Sequence, residues 1–194
     1  MIELPATPAP NGISPTLLDY GFTQRGASSL RVDRAGSRYR FEVSYPPMPA
    51  DRAREFTSRL QRAKSEGLQI DIPLLGVSQG LPGAPVVNGA GQAGKVLALR
   101  GLTPGYIAKS GFWLTVVEAD GTAYLHSVAQ TAVADAIGLA SVDIVPPLRA
   151  PFADGDRVEL ARPFVQGFLD GDEWGWAVPI NRLIAVGFML EEFK

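Results

Sequence analysis

Residues 88–96, Asn88-Gly89-Ala90-Gly91-Gln92-Ala93-Gly94-Lys95-Val96, decide between two kinds of fold. Spaced as G-x-G-x-x-G, they match the fingerprint of a dinucleotide-binding α/β domain. Spaced as G-x-x-x-x-G-K, they fall one residue short of a phosphate-binding P-loop. Both motifs need a helix directly afterwards, because its N-terminal amides hold the phosphates. Only Val96-Leu97-Ala98-Leu99-Arg100 separates Lys95 from Gly101, and Pro104 follows. That segment is too short for a crossover helix and suits a strand. Val96 also occupies the place of the Ser or Thr that would hold magnesium. The stretch therefore reads as a glycine-rich connection in a β-protein, with no nucleotide cofactor.

Strand signals surround it. Tyr39, Phe41, Val43 and Tyr45 alternate with Arg38, Arg40, Glu42 and Ser44, the period-two pattern of a half-buried strand. Ser29 to Val32 and the turn around Arg34 to Ser37 make this a hairpin, which Pro46-Pro47 is expected to end. Further strands are expected at 68–75, 95–100, 112–118, 122–128, 141–145, 157–160, 164–169 and 183–190, separated by turns such as Ala119-Asp120-Gly121 and Asp154-Gly155-Asp156. One helix is expected at 51–66, with Ala53, Phe56, Leu60 and Ala63 on one face and Gly67 beyond its end. Its basic residues Arg52, Arg54, Arg59, Arg62 and Lys64 read as a solvated surface. Residues 1–19 read as an extended arm, and 76–94 as an aperiodic crossing into a second domain.

Composition agrees with a β-rich globular chain. The 194 residues are 46% hydrophobic and 20% charged, enough to bury a core, and include 21 Gly and 16 Pro for many tight turns. A net charge of -2 gives no general surface for neutralising nucleic-acid phosphates. The absence of cysteine removes disulfides, thiolate metal sites and cysteine nucleophiles. The N-terminal residues lack a basic start and an apolar core, and no apolar run is long enough to cross a bilayer, so the expectation is a soluble chain made in the cytoplasm without membrane insertion.

Candidate chemistry is sparse. Gly76-Val77-Ser78-Gln79-Gly80 matches the G-x-S-x-G nucleophile elbow, with Asp120 and His126 following in hydrolase order. Pro82, Gly83 and Pro85 oppose the helix an elbow requires, so Ser78 reads as a loop serine and His126 as an ordinary strand residue. The clusters Asp154/Asp156/Glu159 and Asp170/Asp172/Glu173 lack the spacing of a calcium loop and read as turns, leaving no metal site. Trp113, Trp174 and Trp176 are the candidate interface or glycan contacts, with core packing as the competing reading. No catalytic constellation emerges, and the chain reads as a binding or assembly module, not an enzyme.

Four segments, in order, resemble distal tail and minor tail proteins of long-tailed bacteriophages and prophages. They are Tyr45 to Leu60 (YPPMPADRAREFTSRL), Val87 to Gly94 (VNGAGQAG), Val142 to Pro163 (VDIVPPLRAPFADGDRVELARP) and Glu173 to Glu191 (EWGWAVPINRLIAVGFMLE). The chain departs from the family at Lys109-Ser110-Gly111-Phe112-Trp113, where relatives carry an aspartate after the glycine. The resemblance implies a mainly β fold: a β-sandwich with one helix from residues 1–80 and 164–194, and a small OB-like barrel inserted at 81–163. It implies a structural virion protein, a homo-hexameric distal tail ring joining the tail tube to the tip. The implied partners are further copies of itself, the tube protein, hub and tip proteins and the tape measure protein. The alternative is a carbohydrate-binding module that contacts the host surface.

Overall fold

A computed structural model describes residues 1–25, 29–32, 36–74, 77–180 and 182–193. Arg34 and Ala35 of the expected turn, Leu75 of the expected strand and Gly76 of the G-x-S-x-G match lie outside the described residues. In chain order the elements are β1 (Ile2–Glu3), β2 (Gly12–Leu18), β3 (Phe22–Gln24), β4 (Leu30–Val32), β5 (Arg38–Pro49), α1 (Ala50–Glu66), β6 (Leu68–Asp71), β7 (Gly83–Val87), β8 (Gly94–Leu102), β9 (Ile107–Ala108), β10 (Trp113–Val117), β11 (Ala123–Val128), β12 (Ala132–Val133), β13 (Ala140–Leu148), β14 (Arg157–Glu159), β15 (Phe164–Leu169) and β16 (Leu183–Glu192). The fold is mainly β. Two compact units divide it: residues 1–17, 39–70 and 166–193 form the first, and residues 18–38 and 71–165 lie in the second.

The first unit is a six-stranded sheet, ordered β1-β6-β15-β16-β5-β2, with α1 packed on it. Where a sandwich would place a second sheet, this unit has the helix. Phe56 of α1 meets Tyr45 of β5 edge-on, with ring centroids 4.9 Å apart, and Tyr45 stacks in turn near Phe188 of β16. Burial raises the Tyr45 phenol to about 12. Leu60 and Ala63 continue the buried stripe of α1. Gly67 closes the helix with a positive φ of 76°, and its N–H donates to the Ala63 carbonyl at 2.9 Å.

Two expectations change here. Residues 29–32 and 38–45 do not pair as a hairpin: β4 pairs with β3, and β5 lies between β16 and β2. Pro46-Pro47 does not end β5, which runs on to Pro49. On β16, Ile184 pairs with Met48 and Val186 with Tyr45, so both prolines oppose the single residue Ala185. They sit in a bulge, where no ladder donor is needed. The extended N-terminal arm is paired. β1 pairs in parallel with β6, β2 borders β5, and the basic face of α1 holds the arm through Arg59 Nη1 to the Glu3 carbonyl at 2.7 Å.

The second unit contains a closed six-stranded barrel, ordered β10-β11-β13-β8-β7-β14, with every pairing antiparallel. Closure leaves no edge strand within the barrel. Leu97 and Leu99 of β8, Leu114 and Val116 of β10, Val142 and Ile144 of β13 and Phe152 fill its interior. The stretch 76–94 is therefore not aperiodic throughout: it holds β7. Gly83–Val87 conceals a strand because Pro85 and two small residues break the alternation. The 68–75 strand is shorter than expected, ending at Asp71. β13 continues through Pro146-Pro147, where its register against β8 shifts between Asp143 and Leu148.

Candidate functional site

The glycine stretch is the hairpin connection between β7 and β8. Gly89, Gly91 and Gly94 all adopt positive φ, the conformation that makes glycine necessary in this loop. Its polar groups are spent within the protein. Gly89 N–H donates to Asp154 Oδ1 at 2.8 Å, and Gly91 N–H donates to the Phe152 carbonyl at 2.9 Å. Gln92 folds into the loop, donating to the Asn88 carbonyl at 2.9 Å and accepting from Ala98 N–H at 2.7 Å. Arg100 pairs with Asp154 and donates to the Val87 carbonyl. An internal carboxylate and a backbone carbonyl thus take the Gly89 and Gly91 amides that a phosphate would need. Its partner Arg100 and the Gly89 amide hold the Asp154 carboxyl below the usual carboxylate range.

Ser78, Asp120 and His126 are not joined. Ser78 Oγ accepts from Gly80 N–H at 3.2 Å, and Asp120 Oδ1 accepts from Thr122 N–H at 2.8 Å, each closing its own turn. His126 is fully buried on β11, and Nδ1 lies 2.9 Å from the Pro146 carbonyl, so that nitrogen carries the proton. Nε2 has no hydrogen-bond partner. Burial drives the imidazole down to about 3, with the nearby Arg149 charge acting the same way. Arg149 itself lies over the Tyr124 ring, and burial followed by Glu118 raises that phenol to about 12.

The residue that sequence reasoning missed in this motif is Gln79. It is buried, and its side-chain amide works as a surrogate peptide group. Oε1 accepts from Trp113 N–H at 2.7 Å, while Nε2 donates to the Trp113 carbonyl at 2.8 Å and to the Leu160 carbonyl. The Gln79 carbonyl accepts from the Tyr106 hydroxyl at 2.7 Å. A glutamine among Gly, Ser and Pro gives no local signal of such a role.

The acidic clusters behave as turns. Asp156 Oδ2 accepts from Ala153 N–H at 2.7 Å, and Asp170 Oδ1 accepts from Gly171 N–H at 2.9 Å. Among the described residues, no group of three or more His, Cys, Asp or Glu is placed to hold a metal.

The tryptophans divide between the units. Trp113 is half-buried on β10, its backbone taken by Gln79. Trp174 and Trp176 lie in the connection between β15 and β16, with ring centroids 5.3 Å apart and planes 33° from parallel. Trp174 Nε1 donates to the Gly187 carbonyl at 2.9 Å, which fixes the ring beside β16. Trp176 is 39% exposed. An open groove beside Trp174 is lined by Gln61, Lys64, Asp172, Glu173 and Gly175.

A second exposed feature is the β3–β4 hairpin, in which every described residue of both strands is exposed. Phe22 at 55% and Leu30 at 58% exposure are large apolar side chains left in water. Among the described residues, no helix is long and apolar enough to cross a membrane. Fold and site together define a mainly β, two-unit chain with a closed antiparallel barrel. Set against known proteins, the chain matches no protein-family model and no curated protein.

Proposed function

We propose that this chain is a structural component of a bacteriophage tail. It builds a hexameric ring at the distal end, between the tail tube and the tip. The observation that carries the reading is the arrangement of the chain: a sheet-and-helix unit assembled from separated segments, with a closed antiparallel barrel between them. That arrangement, with the four ordered segments resembling distal tail proteins, supports a ring-forming unit that bears an inserted module. The tube protein, hub and tip proteins and the tape measure protein are the partners such a ring meets.

A ring needs two complementary faces on each subunit, so that the head-to-tail contact closes. The β3–β4 hairpin offers one apolar surface, and the β2 edge of the sheet offers unpaired backbone. A net charge of -2 lets copies pack without strong mutual repulsion. The test is cryo-electron microscopy of intact particles. A six-fold ring of this chain between tube and tip is the expected result. Intact tails that lack the chain would sink the reading.

A further inference from the structure

The groove beside Trp174 has the chemistry of a small-ligand site. Gln61 and Lys64 stand three residues apart on α1, so both face the same side of the helix, where they line the groove. Asp172 to Gly175 supply the facing wall from the β15–β16 connection. Lys64 Nζ donates to the Gly171 carbonyl, which ties the two walls together. The Trp174 indole is held by its own hydrogen bond and backed by Trp176, so an aromatic surface is fixed at the groove before any ligand arrives.

From these residues we infer that the groove between the end of α1 and the Trp174-Trp176 pair binds a neutral pyranose sugar. The face of a pyranose ring carries C–H groups that pack against an indole, while its rim carries hydroxyls. Gln61 offers an amide, and Asp172 and Glu173 offer carboxylates, all suited to accept from or bridge neighbouring hydroxyls. The charge in the groove sets the selectivity. Two carboxylates stand against one ammonium, and that ammonium is already engaged with Gly171. An anionic saccharide would face net repulsion. A simple cation lacks the rim of hydroxyls from which Gln61 and the two carboxylates can accept. A neutral sugar meets neither penalty. The inference is independent of the ring reading, because it concerns a solution property of a single chain.

The test is titration of the full chain with maltotriose, N,N′,N″-triacetylchitotriose, oligogalacturonate and choline chloride, followed by tryptophan fluorescence and calorimetry. A neutral trisaccharide is expected to shift the emission and release heat, with oligogalacturonate and choline inert. Trp174→Ala, at the groove wall, is expected to weaken binding roughly tenfold, the scale of one lost aromatic contact. Trp113→Phe, in the other unit, is expected to leave the affinity unchanged while removing only its own emission. The inference fails if neither neutral trisaccharide binds, or if Trp174→Ala binds as tightly as the unaltered chain. It fails equally if choline or oligogalacturonate is preferred, or if the emission follows protein concentration instead of sugar, which would mean that a second copy covers the pair.

Discussion

His126 and Gln79 show how one buried polar side chain sets a property of the barrel. The folded state keeps the imidazole neutral down to about 3, whereas an unfolded chain takes up a proton near the ordinary value of 6.5. The unfolded state therefore binds more protons below pH 6.5, and stability falls as pH falls from there towards 3. The expected slope is about 1.4 kcal/mol per pH unit inside that window. Denaturant unfolding at a series of pH values measures it, and His126→Leu is expected to flatten the curve. Gln79→Ala acts without pH dependence. It removes the amide that Gln79 supplies to one N–H and two carbonyls of the barrel wall, a loss of about 2–4 kcal/mol by the same unfolding assay. Neither role was legible in the sequence. A lone histidine in an alternating segment and a glutamine in a Gly/Pro-rich loop have no spacing that reveals a distant carbonyl.

At the scale of elements, legibility followed local periodicity. Tyr39 to Tyr45 alternate and the helix carries its own apolar stripe, so β5 and α1 could be read from their own residues. β7 could not, because its place depends on β8 and β14 on either side and not on its own pattern. The two-residue strands β9 and β12 exist only through each other. The β7–β8 loop could be read for what it is not, a phosphate cradle, while the use of Gly89 by Asp154 came from tertiary contacts. Asp154→Ala should accordingly speed amide hydrogen exchange at Gly89, with exchange mass spectrometry as the measurement. Gly167 makes a sharper case. A Cβ there would overlap the Glu191 carbonyl across the β15–β16 pair, a backbone atom that cannot swing aside. Gly167→Ala is expected to destabilise the sheet unit by about 2–4 kcal/mol, read as a lowered denaturant midpoint.

For the whole molecule, the exposed hairpin separates folding from assembly. Phe22 and Leu30 are in water, so replacing both with Ser should change the stability of the isolated chain by no more than about 0.5 kcal/mol. If the hairpin forms the ring contact, the same double variant should lose its place in assembled tails, as scored by mass spectrometry of purified particles. Retention at the normal level would remove the hairpin from the contact.

The path of the chain has one more consequence. Just after β6 the backbone leaves for the barrel, and just before β15 it comes back. At that crossing Ile72 N–H donates to the Pro163 carbonyl at 2.9 Å. Departure and return are thus one hydrogen bond apart, and β6 and β15 are already neighbours in their sheet. The barrel is a cassette with its two ends side by side. A replacement module, or a tight turn, would need ends as close together as Ile72 and Pro163 to leave the pairing of β6 with β15 in place.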